Sequence, residues 1–77
     1  MTPDYQAIGK RVKDFRLLNN LTREQLAERI GCSVSFLGHI ERGTRIMSIE
    51  TLCKLSDALI ISTDCLLGYW DARNTPT

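Results

Sequence analysis

Only one histidine, His39, occurs in the chain, and the three cysteines, Cys32, Cys53 and Cys65, stand too far apart to form a Cys-x-x-Cys pair. That scarcity argues against the usual zinc and dithiol redox arrangements. The cysteines are expected to be small buried apolar residues kept as free thiols. There is no glycine-rich phosphate loop and no cysteine-histidine or carboxylate pair at catalytic spacing, and 77 residues leave little volume for a pocket. Neither an enzyme active site nor a metal, cofactor or small-molecule ligand is expected. No apolar run approaches the roughly 18 residues that cross a bilayer, and Met1-Thr-Pro-Asp-Tyr5 has neither the basic start nor the apolar stretch of a signal peptide. A cytoplasmic protein without membrane contact is the expectation.

A large charge of either sign is also missing: the formal net charge is +1. The distribution is more informative than the sum. Residues 1–45 hold eight basic side chains (Lys10, Arg11, Lys13, Arg16, Arg23, Arg29, Arg42, Arg45) against five acidic ones (Asp4, Asp14, Glu24, Glu28, Glu41), whereas residues 46–77 hold Lys54 and Arg73 against Glu50, Asp57, Asp64 and Asp71. The amino-terminal part is therefore the side suited to a polyanion. What is present is enough to fold: 43 % hydrophobic and 25 % charged residues are far from the composition of a disordered chain. The length allows one domain, expected over residues 1–70 with a short tail at 71–77.

Apolar residues recur at helical spacing throughout. Tyr5, Ile8, Val12 and Phe15 mark a first amphipathic helix, which should close near Asn19-Asn20 because asparagine tolerates the left-handed conformation. Thr22-Arg-Glu-Gln25 has the capping-box pattern and opens a second helix carrying Leu26, Ala27 and Ile30. Gly31 then supplies a positive-φ turn, Ser33 caps a third helix with Leu37 and Ile40 inward, and Gly43 stops it. Ser48 and Glu50 restart helix, for which Ile49, Leu52, Cys53, Ser56 and Leu59 are the expected buried stripe. Ser62 to Gly68 frames a short fifth helix. The fold class is all-α, a compact bundle of five helices with no strand, and Phe15, Phe36, Leu37, Leu52 and Leu55 belong to its core.

Between the second and third helices the turn is only about three or four residues long, which forces a steep crossing. Ala27 supplies the small side chain and Gly31 the bend. With Leu26, Ile30, Leu37 and Ile40 turned inward, Val34, Ser35, Gly38, His39 and Arg42 lie along the outer side of the third helix. A helix so presented fits a DNA major groove.

The segment Leu21-Thr-Arg-Glu-Gln-Leu-Ala-Glu-Arg-Ile-Gly-Cys-Ser-Val-Ser-Phe-Leu-Gly-His-Ile-Glu-Arg-Gly43 resembles the lambda-repressor and Cro-like, or Xre-type, helix-turn-helix family. The resemblance extends back through Ile8-Gly-Lys-Arg-Val-Lys-Asp-Phe-Arg16 and forward through Ser48-Ile-Glu-Thr-Leu52 to Gly68. It implies a lambda-repressor-like DNA-binding domain that acts as a transcriptional regulator, repressor-like, on a palindromic double-stranded operator, usually as a homodimer. Carried over by position, Arg23 stands where the family often has a glutamine on the phosphate backbone. Ser33, Val34 and Ser35 begin the recognition helix of residues 33–42, and Gly38 and His39 form its next outer turn. Arg42, Thr44 and Arg45 stand where the family touches phosphates and reaches bases, and Ser48 opens a helix whose N–H groups suit another phosphate. Val34 departs from the polar residues common at its place; it is read either as an apolar contact with a thymine methyl or as a side chain that is simply exposed or packs at a partner interface. Arg16 and Glu41 match a pair that the family keeps as an internal ion pair.

Leu66, Leu67, Tyr69 and Trp70 form an apolar cluster at the carboxyl end, read either as a homodimer surface or, for Trp70, as a cover on the core. Twofold pairing would put two recognition helices about 34 Å apart. The competing reading is a protein-interaction module of the same fold, of antitoxin or anti-repressor type, with DNA binding weak or secondary.

Overall fold

A computed structural model of the chain describes residues 3–69, and these form five helices: α1 (Tyr5–Leu18), α2 (Arg23–Ile30), α3 (Val34–Arg42), α4 (Ile49–Leu59) and α5 (Thr63–Leu67). No strand occurs among the described residues, and none of their helices is long and apolar enough to cross a membrane. Trp70 and the expected tail at 71–77 lie outside the described residues.

Helix boundaries fall where local chemistry puts them. Thr22 and Gln25 form a reciprocal capping box, the Gln25 backbone N–H donating to Thr22 Oγ1 at 3.1 Å and the Thr22 N–H to Gln25 Oε1 at 2.8 Å. Each satisfies a backbone donor that the helix start would otherwise leave open. Ser33, Ser48 and Ser62 accept in the same way from the N–H groups of Phe36, Thr51 and Cys65. Gly31 sits at φ 71 with open space around its missing Cβ, so its backbone conformation alone demands glycine.

Among the described residues two that are not glycine adopt positive φ, Asn20 and Ile60, both at 56°. Asn20 belongs to the asparagine pair expected to close α1, but Ile60 is unusual: a β-branched side chain crowds the backbone in this conformation. It ends α4, and its side chain is 86 % exposed.

The core is continuous. Val12, Leu21, Leu26, Ala27, Ile30, Leu37, Ile40, Leu55, Leu59 and Leu66 are buried together, with Phe15, Phe36 and Leu52 half-buried at its edge. Helix α1 packs chiefly against α3, and Gly9 permits a close approach: a Cβ there would run into the carbonyl oxygens of Ile40 and Glu41. This packing fixes the back of α3, so that its other side faces outward.

Helix α4 departs from the expected stripe. Leu55 and Leu59 are its buried residues, Leu52 and Ser56 are half-buried, Ile49 is 80 % exposed and Cys53 is exposed. Both sets repeat at helical spacing, and the leucines take the core side. The expectation of three buried cysteines fails with it: Cys53 is exposed, and Cys32 and Cys65 are half-buried. All three are free thiols. Burial pushes the Cys32 thiol up from its ordinary range, and a hydrogen bond with the Leu37 backbone offsets part of that rise.

Candidate nucleic-acid interface

Helix α3 is two-sided. Leu37, Ile40 and Glu41 are buried, while Val34, Ser35 and Arg42 are exposed and His39 is half-buried. At 3.6 residues per turn, Ser35, His39 and Arg42 share one outer strip. Thr44 and Arg45, in the loop beyond, and Ser48, capping α4, are exposed as well. Ser33 uses its side-chain oxygen as the α3 cap, accepting from Phe36 N–H at 3.0 Å. Its role there is structural, so in the free protein that lone pair is occupied.

Gly38 lies on this outer side yet is buried, which sequence spacing did not anticipate. The cover is Arg42: a Cβ added at Gly38 would stand 3.1 Å from Arg42 Nη1. The arginine thus lies along its own helix, with its guanidinium over the glycine.

Below the surface, one carboxylate holds two arginines. Arg16 Nε donates to Glu41 Oε2 at 2.7 Å and Arg16 Nη2 to Oε1 at 3.3 Å, while Arg16 Nη1 donates to the Leu21 carbonyl at 2.9 Å. Three of the five N–H donors of the buried guanidinium are thereby used, two of them on a carboxylate, which offsets much of the cost of burying its charge. Arg23, expected to be free for a phosphate, instead donates from Nε and Nη2 to Glu41 Oε1 at 3.3 and 3.2 Å. Its side chain remains 37 % exposed and its Nη1 has no partner among the described residues. Spacing along the sequence does not reveal this contact, because it depends on the start of α2 and the end of α3 meeting.

His39 is tied to Thr44, with Nδ1 and Oγ1 2.9 Å apart. Arg11, given no role from sequence, donates from Nη1 to the Leu66 carbonyl at 3.3 Å and roofs the end of α5.

The proposed dimer cluster needs correction. Leu66 is fully buried in the core and presents nothing to a partner; on so short a helix the residue facing α1 and α4 is committed to packing. Leu67 is half-buried, Tyr69 is 38 % exposed, and Trp70 is outside the described residues. Leu67 lines an apolar groove of about 200 Å³ together with Tyr5, Ile8, Met47, Ile49 and Leu52. No group of three or more His, Cys, Asp or Glu side chains among the described residues could hold a metal ion.

A short α2, a left-handed glycine turn and an α3 with a buried back and a polar front, flanked by exposed arginines, define a helix-turn-helix domain. The chain belongs to the helix-turn-helix family, which it matches over residues 12–64. It is 45 % identical over 56 residues to YazB of Bacillus subtilis (strain 168), an uncharacterized HTH-type transcriptional regulator, covering 73 % of this chain and 81 % of that protein. Its fold is similar to the restriction-modification controller protein C.AhdI from Aeromonas hydrophila, with TM-score 0.78, 35 % identity and coverage of 82 % of this chain and 96 % of that one. It is also similar to SinR, the master regulator for biofilm formation, in a crystal structure with DNA: TM-score 0.74, 38 % identity, 78 % of this chain and 97 % of that one.

Proposed function

We propose that the protein is a cytoplasmic, non-enzymatic transcriptional regulator that binds a palindromic operator as a homodimer, with residues 1–70 as its single DNA-binding domain. The observation that carries this reading is the outward strip of α3, Ser35, His39 and Arg42, held rigid from behind by Leu37, Ile40 and the Arg16–Glu41 pair. Helix α3 enters the major groove, where Val34, Ser35 and His39 meet base edges. Arg23, Arg42, Arg45 and the N–H groups behind Ser48 take phosphates, fixing register and supplying most of the affinity, while Thr44, whose N–H and hydroxyl both donate to the His39 carbonyl, contributes through His39. Ser33 contributes through the cap that sets the first turn of α3, and Gly38 through close backbone approach once Arg42 swings to a phosphate. Tyr69, Leu67 and the groove beside Leu67 are the proposed dimer surface.

Selecting bound sites from a randomised duplex library tests this reading. The expected outcome is a symmetric site with half-site centres about one turn, 34–36 Å, apart. Failure to retain any duplex at low salt would leave the protein-interaction module, of antitoxin or anti-repressor type, as the better account.

A further inference from the structure

Thr44 makes two hydrogen-bond contacts with His39 through a single hydroxyl. Thr44 Oγ1 lies 3.2 Å from the His39 carbonyl oxygen and 2.9 Å from His39 Nδ1. A hydroxyl has one proton to give, and a carbonyl oxygen can only accept. If the proton went to Nδ1, Oγ1 and the carbonyl oxygen would face each other as two acceptors with nothing between them. Both contacts are satisfied only when Thr44 donates to the carbonyl and Nδ1–H donates to Oγ1. The proton of the neutral imidazole then resides on Nδ1, and Nε2 carries a bare lone pair.

The backbone secures this arrangement. Gly43 closes α3 at φ 74, and the Thr44 N–H donates to the same His39 carbonyl at 3.0 Å, so the chain turns back and sets the hydroxyl beside the ring. Nε2 has no partner among the described residues, and His39 shares its strip with Ser35 and Arg42.

We infer that Thr44 locks His39 as a hydrogen-bond acceptor, so that this residue selects a base whose exocyclic amino group lies in the major groove, adenine through N6 or cytosine through N4, and rejects thymine and also guanine, whose amino group lies in the minor groove. Those amino groups are the major-groove donors, whereas guanine O6 and N7 and thymine O4 offer lone pairs that would oppose Nε2. Thr44 is thus a positioning residue acting through His39. The inference rests on the reading that α3 enters the major groove.

Two measurements test it together. Nitrogen NMR of the ring in the free protein, recorded at alkaline pH where the spectrum shows a neutral imidazole, should show Nδ1 protonated and Nε2 bare. Duplex selection with the wild type should then recover adenine or cytosine at a position whose preference disappears in His39→Ala. Thr44→Val, with the fold checked by circular dichroism, should reduce that preference from about tenfold to about twofold or less, and Thr44→Ser, which restores the hydroxyl, should recover it. A proton on Nε2, selection of guanine or thymine there, or an undiminished preference in Thr44→Val would overturn the inference while leaving duplex binding intact. A wild type that retains no duplex overturns the DNA reading and this inference with it, whichever tautomer the spectrum shows.

Discussion

Arg23 at the start of α2 and Glu41 near the end of α3 are joined by two hydrogen bonds to a single oxygen, Oε1, at 3.3 and 3.2 Å. The same carboxylate pairs with buried Arg16, so Glu41 links α1, α2 and α3 at one point. The three residues are therefore unequal. Glu41→Ala strands the buried Arg16 charge and should destabilise the domain by about 3–5 kcal/mol. Arg23→Ala leaves the Arg16–Glu41 pair whole, and the lost contact is partly solvated, so its cost should be about 1 kcal/mol or less. Denaturant titration of both variants checks the order; equal losses would contradict it.

Gly9 and Gly38 both lie in helices but answer to different neighbours. At Gly9 the obstacles are backbone carbonyls of α3, which cannot move without separating the two helices, so Gly9→Ala should cost about 3 kcal/mol or more. At Gly38 the obstacle is the tip of the flexible Arg42 side chain, and alanine is the better helix former by about 1 kcal/mol. Gly38→Ala should be at least as stable as wild type and bind duplex DNA more weakly. Thermal melts and duplex titrations decide both halves.

Ile60 at φ 56 should be replaceable with profit to stability, since its side chain contributes no core packing. Ile60→Gly relieves about 1 kcal/mol of backbone strain. For a domain of this size that corresponds to a rise in Tm of roughly 4–8 °C.

A small thiol reagent should label Cys53 well before Cys32. Cys53 is exposed on α4, whereas Cys32 is half-buried and its thiol is pushed up, which lowers its thiolate fraction at neutral pH. Mass spectrometry after brief labelling reads the order. Preferential labelling of Cys32 would mean that α4 turns a different face to the core.

Most helix ends were legible in the sequence because a cap is a local event. Thr22, Ser33, Ser48 and Ser62 bond within three residues, and Gly31, Gly43 and Gly68 carry the positive φ that their places require. Features that depend on two helices meeting were not. The Gly9 approach, the Arg23–Glu41 bond, the Arg11 roof over α5 and the choice of face on α4 all arise from chain segments distant in sequence. On α4 in particular, Leu55 and Leu59 are buried as their spacing implied, but Ile49 and Cys53 were grouped with them, and only the packing against α1 and α2 turns those two to solvent. The outer strip of α3 followed directly from its period, but the Thr44 contact that orients His39 required the turn after Gly43 to be seen.

The salt dependence of binding to duplex DNA tests the central claim most directly. If Arg23, Arg42 and Arg45 grip phosphates, the logarithm of the binding constant should fall linearly with the logarithm of salt concentration, at a slope of about −0.9 for each phosphate contacted. Each arginine-to-alanine variant should flatten that slope by about 0.9 per binding domain. Absence of duplex binding at low salt, or a slope unchanged in all three variants, would contradict the account.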